Sequence, residues 1–220
     1  MIYIREAFNL LIDRWDFFLK LTIEHLKISC IAILLAGVIG ITLGVLISEY
    51  KKSSKIVISI TNFIYTIPSI SLLGFLIPLS GIGNKTAIIA LTVYGLLPMI
   101  RNTYTGIESI DSSIIEAAKG MGSKRSEILF KIKLPLATGI ILSGFKNMIV
   151  MTIALSGIAS FIGAGGLGVA IYRGITTNNA AMTLVGSLLI ALLALLGDFL
   201  AGGIWKIINR KWRLNNEKVY

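Results

Sequence analysis

From Ile28 to Ser48 the chain carries no charged side chain. That is as long as the roughly 20 apolar residues an α-helix needs to cross the hydrocarbon core of a bilayer. Inside lipid the backbone must satisfy its own N–H and C=O groups, which favours helices for runs of this kind. Length and flanking residues predict five spans, at residues 26–48, 56–79, 84–106, 136–163 and 181–208. The third is the least apolar, because Arg101 follows Ile100 and its last turns belong near an interface. With 55% hydrophobic and 15% charged residues over 220 positions, the sequence describes one lipid-solvated, all-α polytopic domain.

The charges say which way that domain sits. A formal net charge of +10 would suit nucleic acid in a soluble chain, but here it reports topology, and no nucleic-acid partner is expected. Short loops rich in Lys and Arg are retained in the cytoplasm. Fourteen of the 21 Lys and Arg residues fall on one side, among them Lys51, Lys52, Lys55, Lys124, Arg125, Lys131 and Lys133, and six fall on the other. The N-terminus is therefore expected outside, and the C-terminus, with a basic tail at 209–220, inside. In residues 1–25, Phe8, Leu11, Ile12, Trp15, Phe18 and Leu19 recur at helical spacing, predicting a helix along the outer interface. The first apolar run starts too far from Met1 for a cleaved signal. Cys30 lies within a span, so neither a disulfide nor a cysteine metal cluster is expected and packing is its role. His25, the only histidine, cannot build a three-histidine metal site; beside Glu24 it suits capping or interfacial hydrogen bonding.

Pro68, Pro78 and Pro98 fall inside spans, together with Gly37, Gly40, Gly44, Gly74, Gly95, Gly186 and Gly197. Small residues let membrane helices approach closely, and proline breaks them where a neighbour can satisfy the freed carbonyls. A packed bundle with broken helices results, as in a transporter. Lys146, Asn147 and Asp198 are polar within spans, where ionisable groups are costly to solvate and so are functional candidates. Lys146 can snorkel toward the inner interface; Asp198 can pair with a cation or cap a broken helix.

Polarity changes over residues 108–135. Ser113 with Glu116 fits a capping box, and Gly120 and Gly122 can end that helix with a left-handed residue. Ser123 can cap a second helix through about Lys133, ended by Pro135. Ile114, Ile115 and Ala118 give the first an apolar face, and Ile128, Leu129 and Ile132 the second. The string follows the spacing E-A-A, three residues, G, nine residues, I-x-L-P, at Glu116, Ala117, Ala118, Gly122, Ile132, Leu134 and Pro135.

That pattern resembles the coupling loop of ABC importer permeases. The resemblance implies a type I permease bundle of about five spans whose loop docks in a cleft of a separate ATPase subunit. Glu116 would contact the ATPase, Ala117 and Ala118 would allow close approach, and Gly122 would supply the turn. Further along the chain, Glu24-His25-Leu26, Thr66-Ile67-Pro68-Ser69, Gly81-Ile82-Gly83, Leu97 through Gly106 and Phe161 through Gly168 look like the osmoprotectant group, the glycine betaine, carnitine and choline permeases. Tyr65 departs from the Gln expected before Thr-Ile-Pro.

The resemblance implies further partners: a second permease copy or a similar chain, an extracytoplasmic substrate-binding protein, and membrane lipid. It places ATP and Mg²⁺ in the partner ATPase, so this chain is a transport subunit with no catalytic residue, cofactor or metal of its own. Gly163, Gly165, Gly166 and Gly168 match a dinucleotide pattern, but they follow an apolar span with no acidic residue about 20 positions on; a re-entrant turn at the outer mouth, structural or part of a gate, is expected. Gly81 through Thr86 has Asn84 where a phosphate loop needs glycine. For a quaternary ammonium cargo, aromatic faces offer cation–π attraction, making Tyr65, Phe75, Tyr94 and Phe161, with Pro68, the candidate pathway residues. Another solute such as an amino acid, an ion-coupled transporter or channel using Lys146 and Asp198, and a membrane scaffold are the alternatives.

Overall fold

The computed structural model describes residues 2–216. Its helices are α1 (Ile2–Asp13), α2 (Trp15–Glu49), α3 (Lys51–Thr66), α4 (Ser69–Ser80), α5 (Asn84–Glu108), α6 (Ser112–Gly120), α7 (Arg125–Ser156), α8 (Gly168–Thr176) and α9 (Ala180–Asn216). The side chains of the basic tail 209–220 lie outside the described residues.

Among the described residues three helices, α2, α7 and α9, are long and apolar enough to cross a membrane, and α3 with α4 makes a fourth if that bent pair is one span. The remaining expected span, α5, has the length at 25 residues but not the apolarity. Its position explains why. Thr86, Thr92 and Thr103 are buried on it beside Ala87, Ala90, Met99 and Ile100, so protein rather than lipid surrounds much of this helix.

A seam of small residues draws α5 against α2. Ala36, Gly40 and Gly44 repeat every fourth residue on α2 and meet Gly95, Met99 and Thr103, which repeat every fourth residue on α5. Residues at that spacing share one helix face. A Cβ on Gly44 would lie 2.5 Å from that of Thr103, closer than two carbons can approach. On the other side of α5, a Cβ on Gly144 of α7 would lie 2.6 Å from that of Asn102. The helices α2, α5 and α7 therefore form a tightly packed slab, held by close approach more than by large side chains.

Helix boundaries differ from the sequence expectation in three places, and the expected break at Pro68 is found in a fourth. The break near the N-terminus falls at Arg14 (φ −121°, ψ 35°), so residues 15–25 belong to α2 and not to a separate interfacial helix. Its 35 residues span about 52 Å at 1.5 Å each, leaving charged Asp16, Lys20 and Glu24 room beyond the roughly 30 Å hydrocarbon core. The expected 56–79 span is bent by 101° between α3 and α4, because proline disfavours helical geometry in the residue before it and Ile67 is extended ahead of Pro68. Pro135 does not end a helix: α7 runs through it from Arg125 to Ser156. Residues Ile128–Lys133 widen into a π-helical segment in which Leu134 N–H donates to Leu129 O, reshaping the turn around a residue that cannot donate. Finally, the expected 136–163 span stops at Ser156, and a 3₁₀ turn covers Ile158–Ile162.

Two polar expectations also change. Cys30 is exposed on the helix surface and is not packed in the core. Lys146 does not reach for an interface alone: its Nζ lies 3.0 Å from Asp198 Oδ1 and ties α7 to α9. An unpaired charge in a span costs up to about 3 kcal/mol on insertion scales. Lys146→Met and Asp198→Leu should each lower the detergent melting temperature, and the double variant should recover most of the loss. Strictly additive losses would show that the two groups are not coupled.

Candidate functional site

The hairpin formed by α6, its turn and the start of α7 is the first candidate. Asp111, and not Ser113, caps α6: its Oδ1 accepts the Ser113 N–H at 2.9 Å. That backbone donor, then the Ser113 hydroxyl, holds the Asp111 carboxyl below its ordinary range. The far end closes with Ser123 N–H donating to Ala118 O at 3.1 Å and Gly122 N–H to Lys119 O at 2.9 Å. This paired arrangement needs a left-handed residue, and Gly122 supplies it at φ 81°. The second arm starts not at Ser123 but after Lys124, whose N–H donates to Glu127 Oε2 at 3.0 Å.

The seven residues of the E-A-A spacing separate by exposure. Glu116, Ala117 and Gly122 are exposed, with Met121 80% exposed at the turn. Ala118 is buried at 1%, so it seats α6 and leaves Ala117 on the open face. Ile132, Leu134 and Pro135 are half-buried in α7, where they form the passage from π-helix to α-helix. Phe130, 66% exposed, is a further apolar group on this surface that the sequence reading passed over.

The second candidate is the break at Pro68. The Tyr94 hydroxyl donates to the Ile67 carbonyl freed there, and the Tyr65 ring meets Tyr94 edge-on with centroids 5.9 Å apart. The Tyr65 hydroxyl also reaches Met151 Sδ of α7 at 3.3 Å. Tyr65, Pro68 and Tyr94 thus come together. Phe161 instead meets Tyr172 edge-on at 5.1 Å, and Phe75 is turned outward on α4, 68% exposed.

The glycine turn lies at the end of the bundle opposite the hairpin. Gly165 N–H donates to Asn84 Oδ1 at 2.8 Å and Gly166 N–H to Glu24 Oε2 at 3.3 Å, which fastens the turn to α5 and α2. Gly166 has φ 95° and lies against His25. Contrary to an interfacial role, His25 is fully buried: its Nε2 sits 2.7 Å from Ser156 Oγ and 3.0 Å from the Ile153 carbonyl. Ser29 Oγ completes the group, donating to Ser156 Oγ at 3.0 Å. Gly168 packs directly on the Gly157 backbone. The turn is thus fastened to both helices, and Gly163 closes the 3₁₀ turn before it in left-handed geometry at φ 73°.

The described residues thus form a bundle with one broken span, a projecting hairpin and a glycine-fastened far end. Residues 36–214 match the family of binding-protein-dependent transport system inner membrane components. The chain belongs to that family. This inner membrane component is 40% identical over 187 residues to the glycine betaine/carnitine/choline transport system permease protein of Bacillus subtilis, covering 84% of this chain and 82% of that one. It is also 40% identical over 161 residues to the ergothioneine transport permease/ergothioneine binding protein of Helicobacter pylori, covering 73% of this chain and 29% of that one. Among solved structures, the MetNI methionine ABC transporter in an inward-facing conformation superposes with a TM-score of 0.74 at 26% identity, over 84% of this chain and 93% of that one. The inner membrane component therefore has the fold of type I ABC importer permeases and is a multi-pass transport subunit.

Proposed function

We propose that this chain is the membrane-spanning half of an ATP-driven importer of quaternary ammonium osmoprotectants such as glycine betaine, carnitine or choline. The hairpin faces the cytoplasm and docks a separate ATPase, which holds ATP and Mg²⁺. An extracytoplasmic binding protein delivers the cargo at the glycine-turn end, and a second permease copy completes the pathway. Alternation between two access states then carries the solute inward. The observation that carries this reading is the exposed Glu116, Ala117 and Gly122 on a capped hairpin in a chain 40% identical to a permease of that substrate group.

The aromatic pair at the helix break fits such cargo. A trimethylammonium group offers no hydrogen-bond donor, so aromatic faces can recognise it without demanding donors or acceptors. Tyr65 is 44% exposed beside Tyr94, on the segment that Pro68 bends. The methionine and ergothioneine relatives favour a second reading, the same machinery with a different zwitterion.

Uptake of radiolabelled glycine betaine, carnitine and choline in high salt, with and without the gene, separates these. Loss of at least one activity on deletion, restored by the gene, is expected. Unchanged uptake of all three, with loss of another solute, would move the cargo assignment to the second reading. Uptake by this chain alone in proteoliposomes without ATP would overturn both.

A further inference from the structure

Glu49 is the last residue of α2, and both its carboxylate oxygens are used. Oε2 accepts from Arg125 Nε at 2.6 Å and Oε1 from Lys133 Nζ at 2.6 Å. The Arg125 guanidinium also donates to the Glu49 carbonyl at 3.1 Å and lies over the Tyr50 ring at 5.7 Å. The two cations bracket the hairpin's second arm: Arg125 opens α7 and Lys133 ends the π-helical segment Ile128–Lys133. One carboxylate therefore pins both ends of the irregular part of that arm to the end of a spanning helix.

Exposed ion pairs contribute little, but this one differs on three counts. The Glu49 side chain is only 12% exposed and Lys133 20%, so the charge-assisted Lys133 bond is poorly screened, while Arg125, 69% exposed, adds a second bond at the rim. The neighbouring acids are committed elsewhere, Glu127 to Lys131 and Glu108 to Lys51. Apolar packing does not duplicate the tie either, because a groove of about 580 Å³ opens between Leu46 and Tyr50 of the α2 end and Leu129 and Phe130 of the arm.

Beyond Glu49, α2 is packed without slack along α5 through Gly40 and Gly44. A displacement of the arm reaching Glu49 enters the whole slab.

We propose that Glu49 is a positioning residue for transport, which carries motion of the docked hairpin into α2, so that without its carboxylate ATP is hydrolysed with little solute moved. This rests on the docking of an ATPase at the hairpin. It adds a specific transmission point, outside the E-A-A spacing, whose loss uncouples the machine without detaching it.

The test uses the whole complex, permease with ATPase and binding protein, in proteoliposomes, and reads solute moved per ATP hydrolysed. Glu49→Gln keeps the shape and removes the charge. It is expected to lower that ratio at least tenfold while the ATPase still copurifies in full. Lys133→Gln, which leaves the Arg125 bridge, should lower it less, and Glu49→Arg with Arg125→Glu should restore part of it. An unchanged ratio in Glu49→Gln and Lys133→Gln, or uptake and hydrolysis falling in proportion in both, would overturn the proposal. Absence of the ATPase from the unsubstituted complex would overturn the docking reading, and this proposal with it.

Discussion

Gly168→Ala is expected to cost about 3 kcal/mol, the upper end of the usual overpacking range, and to lower the detergent melting temperature by about 10 °C. A Cβ at this first residue of α8 would overlap the Gly157 carbonyl oxygen and lie 2.8 Å from the carbonyl carbon and 2.9 Å from Ser160 Oγ. Two of these are backbone atoms and the third is bonded to the Gly157 carbonyl at 3.1 Å, so relief requires moving α8 or the 3₁₀ turn. Both are tethered. Gly165 and Gly166 are bonded to Asn84 and Glu24, and Gly166 lies on His25, which is itself bonded to Ser156. The strain therefore spreads into α2, α5 and α7. Gly74→Ala is the control, because a Cβ there meets nothing within 4 Å and alanine is the better helix former by about 1 kcal/mol. A Gly168→Ala protein melting with the unsubstituted chain would show that the turn is looser than its hydrogen bonds imply.

What could be read from the sequence divides by the range of the interaction. The membrane class, the break at Pro68 and the turn at Gly122 are local, set by runs of apolar residues, by proline sterics and by glycine's access to positive φ. Pro135 was misleading for a physical reason: ending the helix and widening it to π are both answers to a missing N–H, and only the packed bundle selects between them. Asp111, Ser112 and Ser113 are all able to cap, so the register of α6 was open. The most informative contacts were out of reach, since Glu49 lies 76 residues from Arg125 and 84 from Lys133, and His25 lies 131 from Ser156. Of the five aromatic and proline pathway candidates, the three that converge do so beside the 101° bend, where Tyr65 of α3 meets Tyr94 of α5, a tertiary contact that no periodicity encodes.

Glu116→Lys and Gly122→Asp are expected to leave a folded permease from which the ATPase no longer copurifies. Both positions are exposed, and a Cβ on Gly122 meets nothing within 4 Å, so neither change disturbs the bundle's core. What changes is the docking face. Reversing the charge of Glu116 presents a cation where the proposed partner is met by a carboxylate. At Gly122 a side chain must adopt φ 81°, at about 1–2 kcal/mol for a non-glycine residue, or the closing bonds to Ala118 and Lys119 must open and re-aim α6. Loss of a central interface contact costs at least about 2 kcal/mol, which is roughly 30-fold in affinity, enough to empty the site during purification. Melting temperatures near that of the unsubstituted chain, with solute uptake at background, are the companion results. Full recovery of ATPase with both variants would remove the hairpin from the docking site and leave its spacing without a function. Recovery with Glu116→Lys alone would place the contact on the backbone turn at Gly122, making the shape of the hairpin, more than its charge, the element the partner reads.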